Sequence, residues 1–285
     1  MLEKRTLGKT GERLSILGFG GILVDALPQA EADRMVAEAI ERGVNYFDVA
    51  PSYGEAEVIL GKALVGRRND IFLACKTTQR TKSGARQELE NSLRRLQTDH
   101  FDLYQLHAMT TAEDFRTVTS PGGALEAFVQ AREEGLIRYI GFSAHSADVA
   151  LQLLDAFLFD SVLFPLNWVN AFNGNFGPQI LQRATELGIG RLALKALART
   201  TWGGRPQRYK KTWYEPEESE DLAELALRWT LSQPITAAIP PGEPKFFPRA
   251  LAYAERFRPI TPEETKRLQQ AAQGLEPIFR HQASA

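Results

Sequence analysis

Four polar side chains in the first 107 residues have the types and positions needed for proton chemistry: Asp48, Tyr53, Lys76 and His107. Three of them follow apolar runs typical of buried strands, at 44–47, 71–75 and 101–106. Helical patterns separate these runs, so parallel strands would bring the polar side chains to one edge of a sheet. An ammonium beside a phenol stabilises the phenolate and strengthens the phenol as an acid. The sequence therefore predicts a proton-donating site.

Each of these residues also has an ordinary interpretation when it is taken alone. Asp48 could cap a helix, and Tyr53 could lie on the surface in a Ser-Tyr-Gly turn. Lys76 could be a solvated lysine at a strand end, and His107 could be a core histidine. Their order on three consecutive strands favours the functional interpretation.

Hydrophobic periodicity predicts eight alternating strands and helices after a short hairpin at 6–17. The predicted strands lie at 17–21, 44–48, 71–75, 101–107, 139–143, 161–164, 192–194 and 236–239. The predicted helices are 30–42, 55–64, 83–96, 123–134, 146–157, 178–186, 219–231, 246–256 and 262–274. We expect one α/β domain over residues 1–285, a (β/α)8 TIM barrel with an N-terminal β-hairpin and an extra C-terminal helix. A doubly wound open sheet is the alternative, although Gly18, Gly20 and Gly21 lack the third spaced glycine of a dinucleotide fingerprint.

Composition narrows the class of partner. With 34 basic and 35 acidic residues the net charge is −1, which does not attract the molecule as a whole to nucleic acid or to an anionic membrane. The single cysteine, Cys75, fits a reducing compartment and a packing role. The chain shows no signal-like segment or 18-residue apolar run, so we expect a cytoplasmic protein. The four histidines show no metal-ligand spacing, and we expect no metal.

Several motifs together resemble those of the aldo-keto reductases. Residues 45–54 (NYFDVAPSYG) are similar to the family signature FDTAxxYG, and Lys76 ends the third strand as the family lysine does. The segment 103–107 (LYQLH) resembles DLxxxH, and 141–143 (GFS) resembles GxSN. The resemblance covers nearly the whole chain.

The resemblance implies an enzyme that reduces aldehydes or ketones to alcohols by hydride transfer. Tyr53 would donate the proton, with Lys76 as the neighbouring cation. Asp48 would hold Lys76 in place, and His107 would orient the carbonyl oxygen by a hydrogen bond. The partner would be a small-molecule carbonyl compound rather than nucleic acid or a membrane, and the protein a monomer or small homo-oligomer.

The resemblance also implies NADP(H) as the cofactor, with NAD(H) as the second candidate. Ser143 would contact the nicotinamide carboxamide, the loop from Lys195 to Arg199 the pyrophosphate, and Lys245 with Arg249 the 2′-phosphate. Lys245 and Arg249 could equally be solvated surface charges. The complete predicted set of cofactor-binding residues is Gly20, Gly21, Ser143, Asn167, Lys195, Leu197, Arg199, Gly242, Lys245 and Arg249.

Some positions depart from the family pattern. Ala144 stands where an asparagine is usual, and Leu163 stands near the position of a carboxamide-binding glutamine, for which Asn167 is a substitute candidate. The seventh strand also lacks its usual aromatic residue. Two further hypotheses follow: a catalytically weak nicotinamide-binding sensor or interaction protein, and an enzyme of non-redox proton transfer or with another electron donor.

Residues 199–216, called here the lid segment, are rich in basic and aromatic side chains and are predicted to cover the site. The alternative is a solvated loop with packing tryptophans. We expect the substrate pocket to be formed by Trp168, Phe172, His145 and Trp202, with His145 also a candidate for a structural role before the next helix.

Overall fold

The computed structural model describes residues 2–281, in which strands and helices alternate along most of the chain. The strands are β1 (Lys4–Thr6), β2 (Arg13–Ser15), β3 (Phe19–Gly20), β4 (Tyr46–Asp48), β5 (Phe72–Thr77), β6 (Phe101–Met109), β7 (Ile137–Ala144), β8 (Ser161–Pro165), β9 (Gly190–Leu194), β10 (Ala198–Thr201), β11 (Tyr214–Pro216) and β12 (Ala237–Ile239). The helices are α1 (Gln29–Glu41), α2 (Ala56–Ala63), α3 (Lys82–Leu96), α4 (Ala112–Thr119), α5 (Ala124–Glu133), α6 (Ala147–Ala156), α7 (Trp168–Gly174), α8 (Pro178–Glu186), α9 (Glu220–Leu231), α10 (Phe247–Glu255) and α11 (Pro262–Ala272).

Eight parallel strands form one sheet in the order β12-β9-β8-β7-β6-β5-β4-β3. The two end strands meet through a parallel bridge between Leu17 and Ala238. There the Gly18 amide donates to the Ala238 carbonyl at 3.0 Å, and the Ala238 amide donates to the Ile16 carbonyl at 2.9 Å. This closure confirms the predicted barrel and excludes the open doubly wound sheet. The predicted N-terminal hairpin is confirmed as the antiparallel pair β1–β2.

Alternation along the strands separates an inner layer from an outer one. Tyr46 of β4 belongs to the cluster inside the barrel, whereas the next residue, Phe47, packs outward towards the helices. On β5, Ala74 points inward and Cys75 outward. Because side chains alternate with a period of two, Asp48 and Lys76 are the next inward positions on these strands. The barrel therefore directs both charged side chains to its interior near the carboxyl ends of the strands.

Three elements were missing from the sequence prediction. Helix α4 begins with a capping box between Thr111 and Asp114, and α7 begins at Asn167, whose side chain accepts a hydrogen bond from the Asn170 amide. Both helices have only seven or eight residues, too few for a clear apolar period. The third element is the antiparallel hairpin β10–β11, which frames the lid segment.

The chain after α11 returns to the carboxyl end of the barrel. The side-chain oxygen of Asn170 accepts hydrogen bonds from the amides of Ile278 and Phe279, at 3.1 and 3.3 Å. The Phe279 ring lies 4.8 Å from the His145 ring and 5.6 Å from the Trp213 ring, between centroids. Residues 273–281 thus contribute to the mouth of the barrel. Within residues 2–281, no helix combines the length and the apolar character needed to cross a bilayer.

Asp102 organises the opposite end of the barrel. It is buried, and it accepts hydrogen bonds from the Leu73 amide at 2.8 Å and from Arg138 at 2.8 Å. Arg68 approaches the same carboxylate to within 2.9 Å. One carboxylate therefore joins β5, β6 and β7 at the amino-terminal end, where barrel residues serve stability rather than chemistry.

We expect Asp102→Asn to lower the free energy of unfolding by about 1–3 kcal/mol, because it leaves two arginines without their buried counter-charge. The estimate is below the value for a fully buried pair since the Arg138 side chain is 46% exposed. Urea denaturation would measure the change. The matched control is Asp155→Asn, which removes a surface partner of Arg183 and should cost less than about 0.5 kcal/mol. Equal, small effects of both variants would contradict this role for Asp102.

Candidate active site

Asp48 and Lys76 form a buried ion pair at the carboxyl end of β4 and β5. The ammonium of Lys76 donates to Asp48 Oδ1, and the Lys76 side chain is 1% exposed. Asp48 Oδ2 accepts hydrogen bonds from the Tyr46 hydroxyl at 3.2 Å and from the Gln105 amide at 3.0 Å. Burial disfavours the charged amine, but Asp48 and Tyr53 together outweigh this effect and raise the pKa of Lys76. Lys76 is therefore a permanent cation.

Tyr53 lies in the turn that follows β4, with its hydroxyl 3.4 Å from Lys76 Nζ. Gly54 makes this turn possible: its φ is +57°, and a side chain there would collide with the Asp25 carboxylate. Burial raises the pKa of Tyr53, and the nearby ammonium offsets this only in part. The ammonium thus acts on the pKa of Tyr53 in the predicted direction, although burial leaves the net pKa raised. At neutral pH the phenol holds its proton.

His107 completes the group from β6. Its ring lies edge-on to the Tyr53 ring, with 5.7 Å between centroids, and its Nδ1 is 3.4 Å from Ser52 Oγ. Burial, together with the charge of Lys76, lowers the pKa of His107 well below the ordinary value. The imidazole is therefore neutral at neutral pH and can donate one ring N–H to a ligand oxygen.

A cavity of about 210 Å³ opens beside these side chains. Asp48, Tyr53, Lys76 and His107 all line it. Five other residues predicted for the site also line it: Gly20, Ser143, His145, Lys195 and Gly242. The structure therefore brings together nine of the predicted site residues around one space, contributed by seven barrel strands or the loops after them.

The Ser143 hydroxyl shapes the wall between β6 and β7. It accepts a hydrogen bond from the Ala108 amide at 2.8 Å. Ala108 has a φ of +53°, and the register of the two strands shifts between Leu106 and Met109. This bend sets the direction of the chain directly after His107.

Six predicted cofactor residues lie outside the cavity, and three of these are not charged. Gly21 packs against Val49, where an added Cβ would come within 2.7 Å of the valine. Asn167 is fully buried and caps α7, and Leu197 is buried in the core. Gly21 and Leu197 therefore serve packing and Asn167 serves helix capping, and none of the three lines the cavity.

Three cations predicted to bind phosphate, Arg199, Lys245 and Arg249, each contact a glutamate residue. Arg199 contacts Glu215 at 3.0 Å, and Lys245 lies 3.4 Å from Glu218. Arg249 donates to the Glu218 carbonyl at 3.1 Å. All three lie near the lid segment rather than on the cavity wall.

Three of the four aromatic or imidazole side chains predicted for the substrate pocket are placed differently. Trp168 is fully buried in α7, Phe172 packs on Trp229 with 5.4 Å between rings, and Trp202 packs on Tyr209 within the lid segment. The expectation that these three wall the cavity is therefore corrected. Helix α7 turns its large side chains to the core, which its short sequence did not reveal.

The lid segment supplies cavity residues that the sequence analysis did not single out: Lys211, Trp213 and Tyr214. Lys211 Nζ donates to the Leu23 carbonyl at 2.9 Å, and the Lys211 amide donates to Glu243 at 2.6 Å. The segment is thus tied to the loops after β3 and β12. Its basic and aromatic composition was the available signal, but composition did not indicate which of its side chains point inward.

A closed parallel barrel with this acid, phenol, ammonium and imidazole at its carboxyl end defines a barrel oxidoreductase of the kind that the sequence motifs suggest. The sequence model of the Aldo/keto reductase family matches residues 16–273. The chain belongs to the aldo-keto reductase family and is an oxidoreductase of that family.

Relatives match over most of the chain. The uncharacterized oxidoreductase YqkF of Bacillus subtilis (strain 168) is 28% identical over 302 residues, covering 94% of this chain and 96% of the relative. L-galactose dehydrogenase of Arabidopsis thaliana is 34% identical over 170 residues, 54% of this chain and 52% of that protein. The structure of aldo-keto reductase AKR11C1 from Bacillus halodurans (holo form) is 27% identical with a TM-score of 0.77, covering 98% of this chain and 99% of that one.

The lowered pKa values of the cavity histidines predict a loss of stability in acid. Burial, with the charge of Lys195, lowers the pKa of His145 to about 3. Near pH 6.5 a histidine in the unfolded chain takes up a proton that the folded state refuses, so stability falls as the pH drops. Between pH 7 and 5 each such histidine should contribute a loss of about 1–2 kcal/mol.

Chemical denaturation of wild type, His107→Asn and His145→Asn at pH 5, 6, 7 and 8 would measure this loss. Each substitution should make the acid-side decline shallower, while the curves run parallel between pH 7 and 8. Equally steep declines in all three proteins would contradict the assignment of neutral imidazoles.

Proposed function

We propose that the protein reduces aldehydes or ketones to alcohols with a nicotinamide cofactor, and that Tyr53 donates the proton. The observation that carries the proposal is the position of Lys76 Nζ. It contacts Asp48 and lies 3.4 Å from the Tyr53 hydroxyl, on the wall of a cavity that His107 also lines. The expected setting remains a cytoplasmic monomer or small homo-oligomer.

Each side chain has a distinct part in this proposal. The His107 ring donates a hydrogen bond to the carbonyl oxygen and fixes its direction beside the Tyr53 hydroxyl. The raised pKa of Tyr53 keeps the phenol loaded with a proton before reaction. As the proton leaves, Lys76 stabilises the developing phenolate, where the benefit of a nearby cation is greatest. Asp48 keeps Lys76 charged and in place.

The residues around the cavity are compatible with a nicotinamide dinucleotide. Gly20 and Gly242 line the cavity with backbone alone, and a side chain at Gly242 would collide with Ile22. The cavity of about 210 Å³ is below the usual range of about 300–1,000 Å³ for ligand pockets. The cavity therefore does not enclose a whole dinucleotide. When bound, the cofactor supplies the hydride.

We expect Tyr53→Phe to lower kcat by more than about 100-fold with NADPH and an aromatic aldehyde, because the proton donor is lost. Fluorescence titration should show cofactor affinity retained. The matched control is Tyr139→Phe. It removes a hydroxyl that donates to the Thr10 carbonyl and to the Glu12 carboxylate at the far end of the barrel.

A second phenol in the cavity tests the assignment further. Tyr214 is buried and lines the same space. If Tyr214→Phe abolished turnover and Tyr53→Phe did not, the proton donor would be misassigned. Cofactor binding with no turnover of any carbonyl compound by the wild type would instead favour the sensor hypothesis.

The preference between NADPH and NADH depends on Glu218. Its carboxylate contacts Arg208 at 2.7 Å and Lys245 at 3.4 Å, so it partly neutralises Lys245, a cation proposed for the 2′-phosphate. We expect Glu218→Gln to tighten NADPH binding about three- to tenfold, since a competing negative charge is removed, with less than about twofold change for NADH.

Fluorescence titration with both cofactors would test the role of Glu218. The control is Glu224→Gln, which instead disrupts the ion pair between Glu224 on α9 and Arg256. An equal shift for NADPH and NADH in Glu218→Gln would show that this region does not recognise the 2′-phosphate.

A further inference from the structure

The cavity wall carries more positive than negative charge. Three lysines line it, Lys76, Lys195 and Lys211, and the only carboxylate among the described lining residues is Asp48. Asp48 is committed to Lys76, Tyr46 and Gln105. Within residues 2–281, no carboxylate oxygen lies within 4.0 Å of the Lys195 ammonium. This cation therefore lacks a counter-charge in the described part of the chain.

The surroundings of Lys195 direct it across the cavity. It follows β9 with a φ of +61°, and its Nζ lies 3.3 Å from Nε2 of His145, the residue after β7. The ring centroids of Trp213 and Phe279 each lie 5.8 Å from Lys195 Nζ. A left-handed conformation is uncommon for a lysine and is maintained here by the surrounding structure. Lys195 and His145 thus form a polar pair between two aromatic surfaces.

The charge state of this pair suits an incoming anion. Burial, reinforced by Lys76, lowers the pKa of Lys195 to about 7. An anion next to Nζ would favour the charged ammonium and compensate its partial desolvation. When Lys195 is charged its ammonium donates to Nε2 of His145, which leaves Nδ1–H of the neutral imidazole as the donor for the same anion.

We propose that Lys195 and His145 form a carboxylate subsite, and that the natural substrate is a carbonyl compound that also bears a carboxylate. This inference rests on the proposed function. A carboxylate accepts a hydrogen bond from each of the two groups, and Trp213 and Phe279 would cover the apolar part of the substrate. The carbonyl would face Tyr53 and His107. His107 lies on β6, which pairs with β7, the strand that leads to His145. Only the carbonyl is reduced; the carboxylate leaves unchanged.

Equilibrium binding tests the subsite without requiring turnover. Tryptophan fluorescence would follow titration of the protein with benzoate and with benzamide at pH 6.0, where Lys195 is protonated. We expect benzoate to bind at least tenfold more tightly than benzamide in the wild type, with this selectivity lost in Lys195→Met and partly restored in Lys195→Arg. Lys266→Met, an exposed lysine on α11, should keep the selectivity. A wild type that does not distinguish benzoate from benzamide would overturn the inference.

Kinetics separate the inference from the proposed function. The acids 4-oxobutanoate and 4-formylbenzoate would each be compared with the corresponding primary amide at pH 6.0. We expect kcat/KM to favour the acids at least tenfold, and this ratio to approach one in Lys195→Met. Reduction of acids and amides at equal rates would overturn the subsite and leave the proposed reaction standing. Benzoate selectivity with no reduction of any aldehyde would overturn the proposed reaction and leave only the carboxylate-binding site standing.

The diphosphate of a dinucleotide is the other anion that could reach Lys195. Titrations of Lys195→Met with NADPH and NADH would show whether Lys195 binds the diphosphate. A loss of more than tenfold in affinity for both cofactors, with benzoate binding unchanged, would assign the lysine to the cofactor and overturn the carboxylate assignment.

Discussion

The ion pair between Lys76 and Asp48 is the contact on which the rest of the site depends. Burying two opposite charges is favourable only when their remaining hydrogen-bonding capacity is also satisfied. Here Tyr46 and Gln105 donate to the second oxygen of Asp48, and Lys76 has the Tyr53 hydroxyl and the Val49 carbonyl, both at 3.4 Å, as further neighbours. The pair thereby links β4, β5 and β6 with the turn that carries Tyr53.

The sequence was sufficient to predict this arrangement because it follows from two regular periods. Strand alternation places Asp48 and Lys76 inward, and the parallel connections bring their carboxyl ends together. The pKa of Tyr53 was not predictable in the same way. Its direction depends on how far burial outweighs a cation at 3.4 Å, and burial of a turn residue is set by segments distant in the sequence.

Charge composition was a poorer guide than strand pattern. Arg199, Lys245 and Arg249 were expected to meet phosphates because the family resemblance places the cofactor beside these cations. In the structure their neighbours include Glu215 and Glu218, which stand at the end of the same lid segment or just beyond it. A sequence shows that cations and carboxylates are near each other along the chain, but it does not show which of them pair. The same limit applied to Trp168 and Trp202, whose burial depends on short elements with no readable period.

The barrel repeats and the segments outside them have separable effects on the cavity. Asp48, Lys76 and His107 are held by strands whose hydrogen bonds to both neighbours leave little freedom. Trp213 and Phe279, by contrast, come from the lid segment and from the chain after α11, and Trp213 is 51% exposed. Contacts of that kind can be rearranged at little cost to the barrel. Substrate preference can therefore change through these segments while the proton-transfer groups stay fixed, because no strand contact has to break for the cavity wall to move.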